Sequence, residues 1–134
     1  MIPQSKQIKQ NTEEIGNLKN NKLDKIEITT GVEFETGRII DGKKEYEKTI
    51  NLGSLANADT SSFKTGLSTS DTIKSYQFFA RNRQNQQFLT VPFLALNGTD
   101  YISAYFNDNQ NIITRTNWDA TNYDLILDVY YTKN

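Results

Sequence analysis

Two different periodicities divide the chain near residue 27. Between Ile8 and Ile26, single aliphatic residues are separated by stretches of Lys, Glu, Gln and Asn, which leaves a thin apolar seam on a polar helix. Beyond residue 27, apolar and polar residues alternate in short runs, a pattern typical of β-strands with one buried face. The sequence therefore predicts an N-terminal stem over residues 1–27 and a β head over residues 28–134.

The stem has the features of a short coiled coil. With Ile8 and Ile15 at heptad position a, Asn11 and Leu18 fall at d, whereas Lys22 at the next a breaks the strict repeat. Such a seam is too narrow for a helix packed into a globular core, but it suits a helix that pairs with copies of itself. The alternative is a single amphipathic helix that lies on the head. The predicted oligomerisation residues are Ile8, Asn11, Ile15, Leu18, Leu23 and Ile26.

The head pattern predicts seven strands, over residues 28–40, 43–53, 73–82, 87–96, 100–107, 111–117 and 122–132. Asp41-Gly42 and Asn97-Gly98 are typical turn sequences, and Pro92 inside the fourth strand predicts an edge position or a bulge. Residues 56–72 read as a polar loop with two apolar anchors to the core, Phe63 and Leu67. The regular strand spacing predicts a mainly β fold, an antiparallel β-sandwich with jelly-roll-like topology.

Composition narrows the chemistry. The chain has no histidine and no cysteine, which removes the commonest general base, the commonest zinc ligand and every histidine-containing triad. Only carboxylate, lysine or tyrosine chemistry remains. We expect no catalytic residues, no metal site, no cofactor and no enzyme activity. A formal net charge of -1 provides no global attraction for nucleic acid, and no apolar run is long enough for membrane insertion. With a mean hydropathy of -0.66, the head is expected to complete its burial in an oligomer.

The strongest candidate binding site surrounds the single tryptophan, Trp118. An indole ring beside carboxylate and amide groups suits a saccharide, because the apolar CH face of a sugar stacks on the ring while its hydroxyls form hydrogen bonds. The alternative is a tryptophan in the core or in a subunit interface. The predicted ligand-binding residues are Trp118, Asp119, Asn122 and Tyr123, with Asp100 and Tyr101 joining them if the loops meet at one end of the head.

Other polar groups are weaker candidates. Arg81 and Arg83 lie near three phenylalanines, a combination seen in single-stranded nucleic-acid sites, but a solvated turn is the expected arrangement. Residues 106–111 offer oxygen ligands of the kind calcium uses, yet a polar hairpin loop explains them. Four glutamates of the first hairpin face each other in some registers, and we expect solvated charge without a pKa-raising pocket there: Glu33, Glu35, Glu45 and Glu47.

Two segments resemble a known class of protein. Residues 36–55, TGRIIDGKKEYEKTINLGSL, contain a strand ending in an Ile-Asp-Gly-Lys turn and a return strand that closes on Leu-Gly. This segment resembles a recurrent one in tail-fibre and baseplate proteins of phages that infect Gram-positive bacteria. Residues 125–134, LILDVYYTKN, are similar to the closing strand of the same modules. The resemblance implies a coiled-coil stem that leads into a trimeric β-sandwich head at the tip of a fibre.

The expected function follows from this resemblance and from the aromatic surface. We expect a homotrimeric receptor-binding head, located on the phage tail tip or baseplate of the virion, that binds host cell-wall saccharide and other baseplate proteins. The alternative is a structural baseplate connector that docks another tail protein without binding a receptor. A saccharide-cleaving tail protein is a third possibility, disfavoured because the chain is small and lacks a convincing pair of acids. Met1 is either the natural start or an internal boundary of a longer fibre.

Overall fold

The structure is a computed structural model that describes residues 30–134, which form nine β-strands. Their bounds are β1 (Glu33–Ile40), β2 (Lys43–Ser54), β3 (Thr60–Lys64), β4 (Thr72–Asn82), β5 (Phe88–Val91), β6 (Phe93–Leu94), β7 (Tyr101–Phe106), β8 (Asn111–Thr116) and β9 (Tyr123–Thr132). All the strand pairs are antiparallel and residues 30–134 contain no helix, so the predicted mainly β, antiparallel fold is confirmed. The predicted stem, its oligomerisation residues and the boundary at residue 28 lie outside the described range.

The strands form two sheets around one hydrophobic core. The five-stranded sheet has the order β1-β2-β9-β4-β5, and the four-stranded sheet has the order β3-β8-β7-β6. Strand β9 is central because it pairs with both β2 and β4 along most of its length. Its burial fits this position, because none of the residues of β9 is exposed. The core joins residues of both sheets, among them Phe78, Leu125, Leu127 and Val129 from the first and Ile102 and Ile112 from the second.

The first hairpin forms as the turn chemistry predicts. Ile40 pairs with Lys43, which leaves Asp41 and Gly42 as a two-residue turn between β1 and β2. Both turn residues have positive φ, 52° for Asp41 and 78° for Gly42. This conformation matches the right-handed twist of the flanking strands, and aspartate and glycine adopt it more readily than other residues.

One predicted loop contains a strand. The prediction of residues 56–72 as a polar loop is wrong over β3, which pairs with β8 at the edge of the four-stranded sheet. The alternation was hidden because Phe63 is the single apolar residue of this strand. Both predicted anchors are confirmed, since Leu67 is buried and Phe63 packs against the core.

One predicted strand is divided between the two sheets. The run at residues 87–96 breaks at Pro92 into β5, which pairs with β4, and β6, which pairs with β7. Proline has no backbone N–H and cannot continue a hydrogen-bonded ladder. The predicted edge position is confirmed, because β5 and β6 are the edge strands of their sheets.

The glutamates of the first hairpin do not face each other. The register pairs Phe34 with Glu47, which places Glu33 and Glu35 on the core side of the sheet and Glu45 and Glu47 on its outer face. The expectation of solvated charge is wrong for this outer pair, because Glu45 is 1% exposed and Glu47 is 8% exposed. We call this side, opposite to the core, the outer face of the five-stranded sheet.

Neighbouring side chains cover Glu45. The Arg38 guanidinium donates to both carboxylate oxygens at 2.7 and 2.8 Å, and the Thr36 hydroxyl donates to Oε1 at 2.8 Å. The hydrogen bond from Arg38 holds the pKa of Glu45 below its usual range, with Thr36 adding to the effect against burial. Strand β1 therefore covers an ionised carboxylate with a bidentate partner.

Candidate functional site

The tryptophan predicted as a binding residue borders a small cleft at one end of the two sheets. We call it the Trp118 cleft, and its volume is about 160 Å³. It is lined by side chains from β5, β6 and β9 and from the segments before β5, β7 and β9, including Gln87, Leu89, Phe93, Asp100, Trp118 and Tyr123. Three of the six predicted residues, Asp100, Trp118 and Tyr123, thus meet in one place.

Loop-to-loop hydrogen bonds bring Asp100 and Trp118 together. Asn117 accepts a hydrogen bond from the Tyr101 amide at 2.7 Å and donates to the Thr99 carbonyl at 2.6 Å. The Asn97 side chain closes its own turn by accepting from the Asp100 amide. The residue before Trp118 therefore fastens the turn that carries Asp100.

The chemistry of the Trp118 cleft is aromatic on one side and polar on the other. The rings of Trp118 and Tyr123 meet edge to face, with centroids 5.5 Å apart. The Tyr123 hydroxyl donates to Gln87 Oε1 at 2.8 Å, and Asp100 Oδ2 accepts from Asn97. The Trp118 indole N–H is shielded from solvent and has no acceptor within residues 30–134. A buried donor without an acceptor lowers the stability of a fold, so an acceptor for this N–H is expected from outside the described residues.

The other three predicted residues lie outside this cleft. Asp119 closes a local turn, because its Oδ1 accepts from the Thr121 hydroxyl at 2.6 Å and from the Thr121 amide at 3.1 Å. Asn122 is exposed and accepts a backbone hydrogen bond from Arg83. Tyr101 begins β7, where it pairs with Leu94. Sequence proximity to Trp118 was therefore a poor guide to the lining, and Gln87 and Phe93 replace these residues.

Sequence reasoning missed a larger cleft on the outer face of the five-stranded sheet. We call it the Arg81 cleft; its volume is about 320 Å³, and its lining includes Thr49, Asn51, Phe79, Arg81, Phe88 and Asp128. The expected solvated turn is wrong for Arg81, which lies within β4 and has a buried Nε atom. The signal in the sequence was the alternation of β4, which puts Phe79 and Arg81 on one face.

A pair of acids adjoins the Arg81 cleft. Burial and the neighbouring Glu47 carboxylate raise the pKa of Asp128 to about 6, while the Thr49 hydroxyl, at 3.2 Å, opposes the shift. A hydrogen bond to Glu47 raises the pKa of Tyr130 to about 12. The acid with the raised pKa is Asp128 of β9, which lies outside the first hairpin, and the cause is that the sheet gathers two carboxylates on a partly covered face.

A third cleft, of about 380 Å³, contains charged groups that pair with one another, Glu33 and Lys133. Lys133 donates to Glu33 Oε2 at 2.6 Å, and Tyr131 donates to Oε1 of the same carboxylate. Burial opposes ionisation of Glu33, but these hydrogen bonds outweigh it and lower its pKa. The Lys133 ammonium also lies 4.5 Å from the centroid of the Tyr46 ring. These contacts anchor the C-terminal segment at this cleft.

The hairpin loop at residues 106–111 is built as a polar turn. Asp108 accepts hydrogen bonds from the amides of Gln110 and Asn111 and from the Asn111 side chain. The Asn109 side chain donates to three carbonyl oxygens, those of Ser68, Thr69 and Asp71. Within residues 30–134, no group of three or more acidic side chains is arranged to hold a metal ion.

Two further findings bear on the whole chain. In the part of the chain that the structure describes, no helix has the length and apolar character needed to cross a membrane. Comparison of the chain with protein-family models, curated proteins and solved structures found no match.

Proposed function

We propose that this chain is the head of a homotrimeric phage tail-fibre or baseplate protein, and that it binds saccharide on the host cell surface without cleaving it. Its fold is then a jelly-roll-like β-sandwich behind a coiled-coil stem. The carrying observation is the Trp118 cleft, in which an aromatic wall faces a carboxylate and an amide. That combination stacks on the apolar face of a sugar and hydrogen-bonds its hydroxyls.

Two features of the fold support the proposed class. The two segments that resemble fibre proteins, residues 36–55 and 125–134, are neighbours in the sheet, since β2 pairs with β9 from Glu45 with Thr132 to Ser54 with Asp124. Strand β3 likewise pairs with β8, and this pairing of early strands with late strands supports the proposed jelly-roll-like topology.

The short distance between the two acids at the Arg81 cleft disfavours a saccharide-cleaving lyase or hydrolase. Glu47 and Asp128 lie within hydrogen-bonding reach of each other. Glycosidases hold their two carboxyl groups roughly 5 Å apart or more, with the sugar between them. The pair at the Arg81 cleft therefore suits a shared proton better than cleavage of a glycosidic bond.

The experiment is a glycan array, followed by titration of the full chain with purified cell-wall polysaccharide. Trp118→Ala is expected to weaken saccharide binding by about tenfold or more, because it removes ring stacking and buried contact. A loss of about 1.4 kcal/mol of binding free energy raises the Kd tenfold. Asp100→Asn keeps the shape of the cleft and is expected to weaken binding without unfolding the head. Tyr105→Ala, at a position 55% exposed on the four-stranded sheet, is the matched control and leaves binding unchanged.

A reproducible saccharide hit that Trp118→Ala and Asp100→Asn both preserve would place the receptor site elsewhere. The connector alternative makes the opposite prediction to adhesion. It requires that no saccharide on the array binds and that another tail protein binds tightly. That pair of results would overturn the proposed function.

A further inference from the structure

On the outer face of the five-stranded sheet, the buried Nε atom of Arg81 has no hydrogen-bond acceptor within residues 30–134. Arg81 lies opposite Asp124 in the register of β4 and β9, where an ion pair would be expected. Both Asp124 oxygens have other partners, because Arg83 donates to Oδ1 and the Asn51 side chain donates to Oδ2. Arg81 forms no ion pair within residues 30–134, although its Nε atom is buried.

A buried donor without an acceptor costs free energy, and a guanidinium presents its donors as a planar fork. The group that best satisfies such a fork is a carboxylate or phosphate, which accepts two parallel hydrogen bonds. Because Arg81 lines the Arg81 cleft, an oxyanion that enters this cleft from solvent would meet the guanidinium.

The rest of the Arg81 cleft excludes a simple anion. Asp128 lines the same cleft and forms no ion pair within the described part of the chain. Its carboxylate accepts a hydrogen bond from Thr49 and repels a second negative charge, so the ligand must present hydroxyl donors at this end. The ligand thus combines an anion at one end with hydroxyl groups at the other.

The aromatic residues add an apolar requirement. Phe79 and Phe88 lie edge to face with ring centroids 6.4 Å apart, and Phe88 is 60% exposed. An exposed ring at the edge of this cleft favours a ligand with a flat apolar face. A sugar ring supplies such a face on one side and hydroxyl groups around its rim.

We propose that the Arg81 cleft binds an anionic saccharide residue, a sugar ring that carries a carboxylate or a phosphate. The anion pairs with Arg81, the ring stacks on Phe88, and the hydroxyls bond to Asp128 and Asn51. This second binding site is built from different residues than the Trp118 cleft. The proposal is therefore independent of whether the Trp118 cleft binds saccharide.

The test is an NMR titration of the isotope-labelled full chain with glucuronate, glucose 6-phosphate, glucose and acetate. At least one anionic sugar is expected to bind about tenfold more tightly than glucose and acetate, with shifts of backbone amides in β4, β5 and β9. The tighter of the two anionic sugars identifies the anion as carboxylate or phosphate.

Variants locate the interaction. Arg81→Gln is expected to remove the about tenfold preference for the anionic sugar, and Phe88→Ala to weaken its binding. Arg115→Gln removes the same charge from an exposed position on the other sheet and serves as the matched control. Trp118→Ala leaves anionic-sugar binding intact, so failure of the two sites can be told apart.

Three results would overturn the inference. They are equal binding of glucuronate, glucose 6-phosphate and glucose, equal binding by Arg81→Gln and the unaltered chain, and acetate binding as tight as that of the anionic sugars. Thermal unfolding of each variant shows whether it is folded. Arg81→Gln is expected to remain folded, because the replaced guanidinium has no partner within residues 30–134.

Discussion

At the scale of single residues, partial burial changes the acid–base behaviour of Asp128. Its pKa is about 6 in the folded chain, raised by burial and by Glu47, whereas an aspartate in an unfolded chain titrates at about 3.9. Between these values the folded state holds a proton that the unfolded state has lost. The folded state is therefore favoured by this residue at low pH, and the contribution is lost as the pH rises through about 6.

We predict that the free energy of unfolding falls by about 1 kcal/mol between pH 5 and pH 7.5, a value reduced because solvent screens the half-buried carboxylate. Glu33 and Glu45 do not produce this slope, because their pKa values are lowered and they are ionised throughout the window. Urea unfolding at several pH values measures the effect. Asp128→Asn should flatten the profile, and parallel profiles for the two proteins would contradict this assignment.

At the scale of elements, β9 organises the head. Leu127 is fully buried on its core side and pairs with Ile50 on β2 and Phe78 on β4. Leu127→Ala is expected to lower the free energy of unfolding by about 2–5 kcal/mol, because the lost contacts leave a cavity that the sheets cannot close. Leu94→Ala is the control, since Leu94 is 65% exposed. Equal losses in urea unfolding would show that β9 is not the centre of the core.

The elements also show how far the sequence alone predicts this fold. Turn chemistry at Asp41 and Gly42 and the alternation of β9 are local properties, and both were read correctly. The sequence does not predict strand β3, because only Phe63 faces the core. Pro92 predicts an irregularity in its strand, but not that the chain passes there from one sheet to the other. Burial of Glu45 was unpredictable because it depends on Arg38 folding over it across the strand register.

The sequence predicts only part of the candidate site, because some of its residues are brought together by contacts between distant parts of the chain. Trp118 and Tyr123 are close in the chain and share the Trp118 cleft. Asp100 reaches this cleft because the Asn117 side chain holds the turn that carries it. Gln87 and the Arg81 cleft depend on which strands become neighbours, and that information is not local in sequence. Strand order therefore limited the prediction of the site more than residue chemistry did.

At the scale of the whole molecule, the proposed trimer can be tested independently of any ligand. The β1 edge of the five-stranded sheet exposes apolar side chains, with Ile39 at 64% and Val32, just before the strand, at 53%, that suit contact between copies. Light scattering of the full chain at micromolar concentration should give about three times the 15.4 kDa chain mass. A β-folded monomer at that concentration would refute the homotrimer.

The central claim is that the head binds a host saccharide at the Trp118 cleft. The most direct measurement is a crystal structure of the full chain soaked with neutral oligosaccharides from the cell-wall polysaccharide. We expect a sugar ring against Trp118 with a hydroxyl donating to Asp100, and no such density in crystals of Trp118→Ala. An oligosaccharide that binds elsewhere on the head while the Trp118 cleft stays empty would contradict the account.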